Sequence, residues 1–180
     1  MNTISIVDPA KRVAQVRNVL TEMRPMNGNV RRTVPARAVP SRNSLVVVAS
    51  ENRLTDSYRD WRFKTSQPKI WAHYSEEWNQ SGKKWLLRQY ALHLYLVLSP
   101  TEQTEVFAFH CEPGHEGETL VDGCKRGPHV HVSTAGCLAH AHIPLQFQNL
   151  EAVLADVDEL TKFIAKAVQF VDVEILPRFS

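Results

Sequence analysis

Trp85-Leu86-Leu87-Arg88-Gln89-Tyr90-Ala91-Leu92-His93-Leu94-Tyr95-Leu96-Val97-Leu98, then Ser99-Pro100, then Thr104 to Cys111, is the stretch that decides the fold. Its aromatic and aliphatic run reads as a long central strand, ended by the turn signal of Ser99-Pro100. Thr104 to Cys111 then returns as the antiparallel partner across Pro100-Thr101-Glu102-Gln103. Upstream, Leu45-Val46-Val47-Val48 is short and β-branched, as strands prefer. Tyr58 to Phe63 and Lys69 to Tyr74 alternate as further strands, with a helical reading left open for the first, and Asn79-Gln80-Ser81-Gly82 is a turn.

Helices flank this β-rich centre. Asp8-Pro9 supplies a cap and a first-turn proline, and Val13, Val16, Leu20 and Met23 follow at helical spacing. Residues 25–43 carry Pro25, Pro35, Pro40, Gly28 and four arginines (Arg31, Arg32, Arg37, Arg42) without an acid. That composition suits a linker or an exposed basic arm that docks on an acidic partner. From about Gln148 or Asn149 the chain turns helical, with Val153, Leu154, Val157, Leu160, Phe163, Ile164, Ala167, Val168 and Val171 as an apolar stripe. Asp156 and Asp158 mark a break into two helices. The expectation is an α+β fold: an antiparallel sheet with an N-terminal helix and C-terminal helices packed on one face. Residues 1–43 form the helix and basic linker, and residues 44–180 form a single α+β domain.

Chemistry concentrates just past the central strands. Six of the eight histidines lie between His110 and His142, together with Cys111, Cys124 and Cys137. Gly127-Pro128-His129-Val130-His131-Val132 and Ala139-His140-Ala141-His142-Ile143 each hold a His-x-His pair. In a strand, residues two apart share a face, so each pair aims two imidazoles one way. Thr134 to Leu138 suits a turn, which makes the two segments a hairpin.

Three chemistries fit. Zinc binding would draw on His129, His131, His140, His142, Cys111 and Cys124, with His110 and His115 as further donors. Metal-free acid–base catalysis would use His129 and His131, with Lys125 and Arg126 holding a phosphate and its developing charge. The third possibility is a set of hydrogen-bonded, inert sheet histidines.

Composition narrows the setting. The net charge of +2 hides an asymmetry: residues 1–90 carry 16 Lys/Arg against 7 Asp/Glu, and residues 91–180 carry 5 against 12. A basic half suits phosphate or an acidic partner. Basic residues alternate with Trp61, Phe63, Trp71, Tyr74, Trp78, Trp85 and Tyr90, a pattern that holds nucleic acid or simply builds a sheet core. There is no apolar run of about 18 residues and no basic-then-apolar signal at the start, so no membrane association and a cytoplasmic location are expected.

Lys125-Arg126-Gly127-Pro128-His129-Val130-His131-Val132, with the strand–turn–strand before it, resembles small bacterial proteins that share a Pro-His-x-His-Val core. TumE-like toxins of toxin–antitoxin pairs are among them, and the resemblance spans roughly residues 85–135. It implies a growth-inhibiting toxin that acts on RNA and is neutralised by a cognate protein, with His129 and His131 in its motif. His73-Tyr74-Ser75 and His131-Val132-Ser133 also match the H-x-[S/T] triplets of two-histidine phosphoesterases. The sequence therefore suggests a toxin- or defence-type ribonuclease or phosphodiesterase acting on nucleic acid. A non-enzymatic zinc-binding interaction module is the alternative.

Overall fold

The computed structural model describes residues 4–51, 57–99, 101–113, 128–134, 138–144 and 156–179. Its spine is the expected antiparallel pair, β8 (Lys84–Ser99) against β9 (Glu102–Cys111), with Leu92 opposite Phe109 and Leu94 opposite Phe107. On the other flank of β8 lies β7 (Ile70–Ser81), and Gly82 (φ 60°) takes the left-handed conformation that closes their turn. Beyond β7 come β5 (Ser44–Ala49) and β4 (Ala36–Pro40). Beyond β9 come β10 (His129–Thr134) and β11 (Leu138–Pro144), which form the expected hairpin. The sheet order is β11-β10-β9-β8-β7-β5-β4, with β1 (Ser5–Ile6) pairing β8 and β6 (Phe63–Lys64) pairing β7.

Two expectations change. The basic stretch is folded rather than a linker: β2 (Met26–Asn27) and β3 (Val30–Arg31) form a small hairpin, and β4 is an edge strand of the main sheet. Two of its arginines are engaged, since Arg31 pairs with Asp172 and Arg37 lies 5.1 Å over the Trp61 ring. Residues 58–63 are a short 3-10 turn (Tyr58–Asp60) followed by β6, not one strand.

Both described helices cover one face of the sheet. In α1 (Pro9–Leu20), Asp8 accepts from the backbone N–H groups of Ala10 (2.9 Å) and Lys11 (3.2 Å), and Val13, Val16 and Leu20 are buried. Asp8→Ala should cost about 1 kcal/mol in urea unfolding, the usual worth of such a cap. An unchanged midpoint would show that the cap contributes nothing here. In α2 (Val157–Phe170), Asp156 caps the start and Leu160, Phe163, Ile164, Ala167 and Val168 face inward, as the sequence stripe predicts. A π-helical turn (Val171–Ile175) and a 3-10 turn (Leu176–Phe179) continue it. The expected helical start before Asp156 lies outside the described residues.

The core between helices and sheet joins Val16 and Leu20 to Val47, Tyr74, Leu92, Phe109 and Phe163. Leu87 and Leu92 both reach it although their numbers differ in parity. A bulge explains this: Glu77 pairs with Gln89 and Trp78 with Leu87, so Arg88 is an extra residue on β8 and the alternation reverses there.

Glu76 points into the same interior and is fully buried. It accepts from the Arg12 guanidinium (2.5 to 3.1 Å), from the Tyr74 hydroxyl (2.6 Å) and from the Trp78 indole (3.1 Å). Arg12 also donates to Gln15 and Thr161, so one ion pair ties β7, α1 and α2 together. Burial works against the Arg12 charge, but the Glu76 carboxylate outweighs it and raises the guanidinium pKa. Among the described residues, no helix is long and apolar enough to cross a membrane.

Candidate metal centre

The other face of the sheet carries His73, His93, His110, His129 and His131, and strand register is what gathers them. One cross-strand row runs His73, His93, Ala108, His131, His142, through β7, β8, β9, β10 and β11. The adjacent row runs Ser75, Ala91, His110, His129, Pro144. Same-face neighbours two apart in a strand and opposite across strands lie within side-chain reach. Ala91 and Ala108 are the small members of the rows, and they leave room for the rings beside them.

His110, His129 and His131 converge. Each offers a ring nitrogen, and the three nitrogens lie within 4.8 Å of one another. The His110 and His131 rings stack at 4.4 Å, and His129 lies 5.0 Å from His131 and 5.6 Å from His110. His129 is buried to 1% exposure, while His110 and His131 are half-buried at the edge of the group.

A fourth imidazole backs the triad. His93 meets the His110 ring edge-on at 4.6 Å, and its Nδ1–H donates to the Glu105 carboxylate at 2.6 Å. A carboxylate can only accept, so this contact places a proton on Nδ1. Burial tends to raise the pKa of Glu105, but the His93 hydrogen bond and the charges of His93 and His131 hold it below the usual range. His73 lies one strand further, 5.9 Å from His93, and its Nδ1–H donates to the Trp61 carbonyl at 2.7 Å. Burial, with Arg62 and His93 nearby, pushes the His73 pKa down to about 3, so this ring stays neutral.

A cleft of about 390 Å³ opens beside the triad. Tyr58, Arg59, Ser75, Glu77, Gln89 and His110 contribute to its walls. The Tyr58 hydroxyl donates to Glu77, and Arg88 reaches the same carboxylate at 3.4 Å. Near the His93 end, the Arg62 guanidinium lies 4.1 Å over the Tyr95 ring. Burial pushes the Tyr95 phenol up to about 12 against the pull of Arg62, so it stays protonated.

The sequence-derived site maps onto this face unevenly. His129 and His131 join the triad, and His110 completes it. His142 is the backbone partner of His131 in β11, and His140 lies two residues before it. Cys111 does not join them: it is fully buried in the core on the helix face, where burial raises its thiol pKa far above the ordinary range. Cys124, Lys125, Arg126 and His115 lie outside the described residues.

The two H-x-S histidines, His73 and His131, share a row but lie on β7 and β10 with two strands between. Three strand spacings amount to about 14 Å, too far to bracket one phosphodiester. The sequence reading left out His93 and Glu105. Strand alternation places His93 opposite Leu92 and Leu94, but only register brings it beside His110.

An antiparallel α+β sheet with helices on one face and converging histidines on the other is the class that fold and site define. No protein-family model, curated protein or solved structure matches the chain.

Proposed function

We propose that the protein is a metal-dependent hydrolase whose single ion is held by His110, His129 and His131. The observation that carries this is the convergence of three imidazole nitrogens within 4.8 Å at the edge of an open cleft. Tetrahedral zinc with Zn–N of about 2.0–2.1 Å needs nitrogens about 3.4 Å apart, so modest ring rotations complete the site. An all-imidazole donor set suits zinc and its transition-metal neighbours rather than magnesium or calcium.

Three protein ligands leave a fourth position for water, the pattern of catalytic rather than closed structural zinc sites. The ion would supply a bound water of lowered pKa. This chain's residues would hold that water at the cleft, with the His93 ring, held by Glu105, packed edge-on against the His110 ring. Such a water would suit hydrolysis of an ester, with one proton released to solvent and one taken up by the departing oxygen.

The metal-free ribonuclease with His129 as acid and His131 as base has weaker support. Acid and base must flank the reacting phosphate, and rings 5.0 Å apart leave no space for a phosphodiester between them. A zinc-stabilised interaction module would use the same triad but has no use for the cleft.

Elemental analysis of untagged protein is expected to give about one zinc-type ion per chain. His131→Ala should weaken metal affinity on the order of 100-fold or more, and His93→Gln, which removes the ring packed against His110, about 10-fold. Circular dichroism should show both variants folded. Metal-free wild-type protein that takes up no added zinc would end this reading. Loss of the fold on chelation would transfer the site to the interaction module.

A further inference from the structure

We infer that the cleft beside the triad is a nucleotide site, with the phosphate held between the metal and Arg59. This rests on the metal reading above and names the substrate class for it. Three observations point the same way.

The first is size. At about 390 Å³, the cleft falls within the range of small-molecule sites, roughly 300–1,000 Å³, and suits one nucleotide unit. The second is charge. Two carboxylates near the triad are already engaged: Glu77 by Tyr58 and Arg88, and Glu105 by His93. Arg59 is exposed on the cleft wall, and a divalent ion on the triad would add its charge at the His110 end of the same cleft. A planar guanidinium and a metal ion in one cleft suit a phosphate oxygen pair better than a neutral ester. Glu112 also lies on the wall, two residues after His110.

The third is the surface available to a base. Arg62 is stacked on Tyr95 and held by the carbonyls of Arg59 and Trp61, so its outer plane is fixed. Lys64 lies over Trp71 further along the same side of β7. Bases stack on aromatic rings and on guanidinium planes of this kind. Ser75 and Gln89 add a hydroxyl and an amide for a base or sugar edge.

The shared chemistry is a nucleotide phosphate, whose source is either a free mononucleotide or a single strand. Titration calorimetry on the zinc-loaded full chain would use adenosine and the four 5′-mononucleotides, then ten-nucleotide single strands of RNA and DNA. At least one mononucleotide or strand is expected to bind 10-fold or more tighter than adenosine. Arg59→Ala should remove that advantage while leaving metal content unchanged, and Arg59→Lys should restore part of it. A strand that binds far better than any mononucleotide identifies a nucleic acid as the source, and equal binding identifies a free nucleotide.

Metal-loaded protein that binds neither, or that binds adenosine as well as AMP, overturns the nucleotide site and leaves the metal centre standing. Binding that depends on Arg59 and is equally tight without metal supports the nucleotide site and overturns the metal's share in holding the phosphate, while failure to take up zinc overturns the metal centre alone.

Discussion

Glu76→Ala is expected to destabilise the protein by about 3–5 kcal/mol, the cost of leaving one partner of a buried ion pair without the other. Arg12 would remain fully buried at the α1–sheet contact with only Gln15 and Thr161 to receive its hydrogen bonds. The Tyr74 hydroxyl and the Trp78 indole would lose their acceptor as well. Urea unfolding followed by tryptophan fluorescence reads this directly. Arg12→Met combined with Glu76→Leu should recover much of the loss, because two apolar groups leave no uncompensated charge. If Glu76→Ala costs less than 1 kcal/mol, the network does not hold the helices to the sheet.

Wild-type protein should lose stability as the medium is acidified, and His73 should account for a definable part of the loss. Its pKa is about 3 in the folded chain, against an ordinary value of 6.5. The unfolded chain therefore binds the extra proton between those two values. The contribution is complete above pH 6.5 and is lost progressively as pH falls toward 3. From pH 7 to pH 5 the loss from this one ring is about 2 kcal/mol. His73→Asn should reduce the pH dependence by that amount, measured with chelator present so that metal release does not intervene. The comparison is between slopes, because losing the Trp61 contact lowers stability at every pH. Parallel slopes for both proteins would show that His73 is not held neutral by burial.

The two predictions concern residues that the sequence treats very differently from the fold. Glu76 and Glu77 are adjacent acids, and in the sequence they look like a break in an apolar pattern. In the sheet they face opposite ways: Glu76 lies under the helices with Arg12, and Glu77 lies on the cleft with Tyr58 and Arg88. Strand alternation supplies that division, but nothing local says that an arginine 64 residues away will meet Glu76. The basic arm shows the opposite error. Its prolines and arginines read as exposed linker, yet Ala36 to Pro40 pairs with β5 and Arg31 reaches Asp172 from the far end of the chain.

What the sequence determined by itself was the kind of element and the chemistry each strand carries. Alternation over residues 85–111, the apolar stripe from Val157 to Val171, the Asp8-Pro9 start and the His-x-His pairs are all local patterns, set by periods of 2 and 3.6 residues. The tertiary structure alone decided which histidines meet. Ring contacts depend on register across strands far apart in sequence, and a slip of one residue would move a strand's side chains to the other face. The β8–β9 register, with Ala91 opposite His110 and His93 opposite Ala108, brings His93 beside His110 and turns Cys111 into the core, and the bulge opposite Leu94/Tyr95 puts Glu105 on the same face as His93.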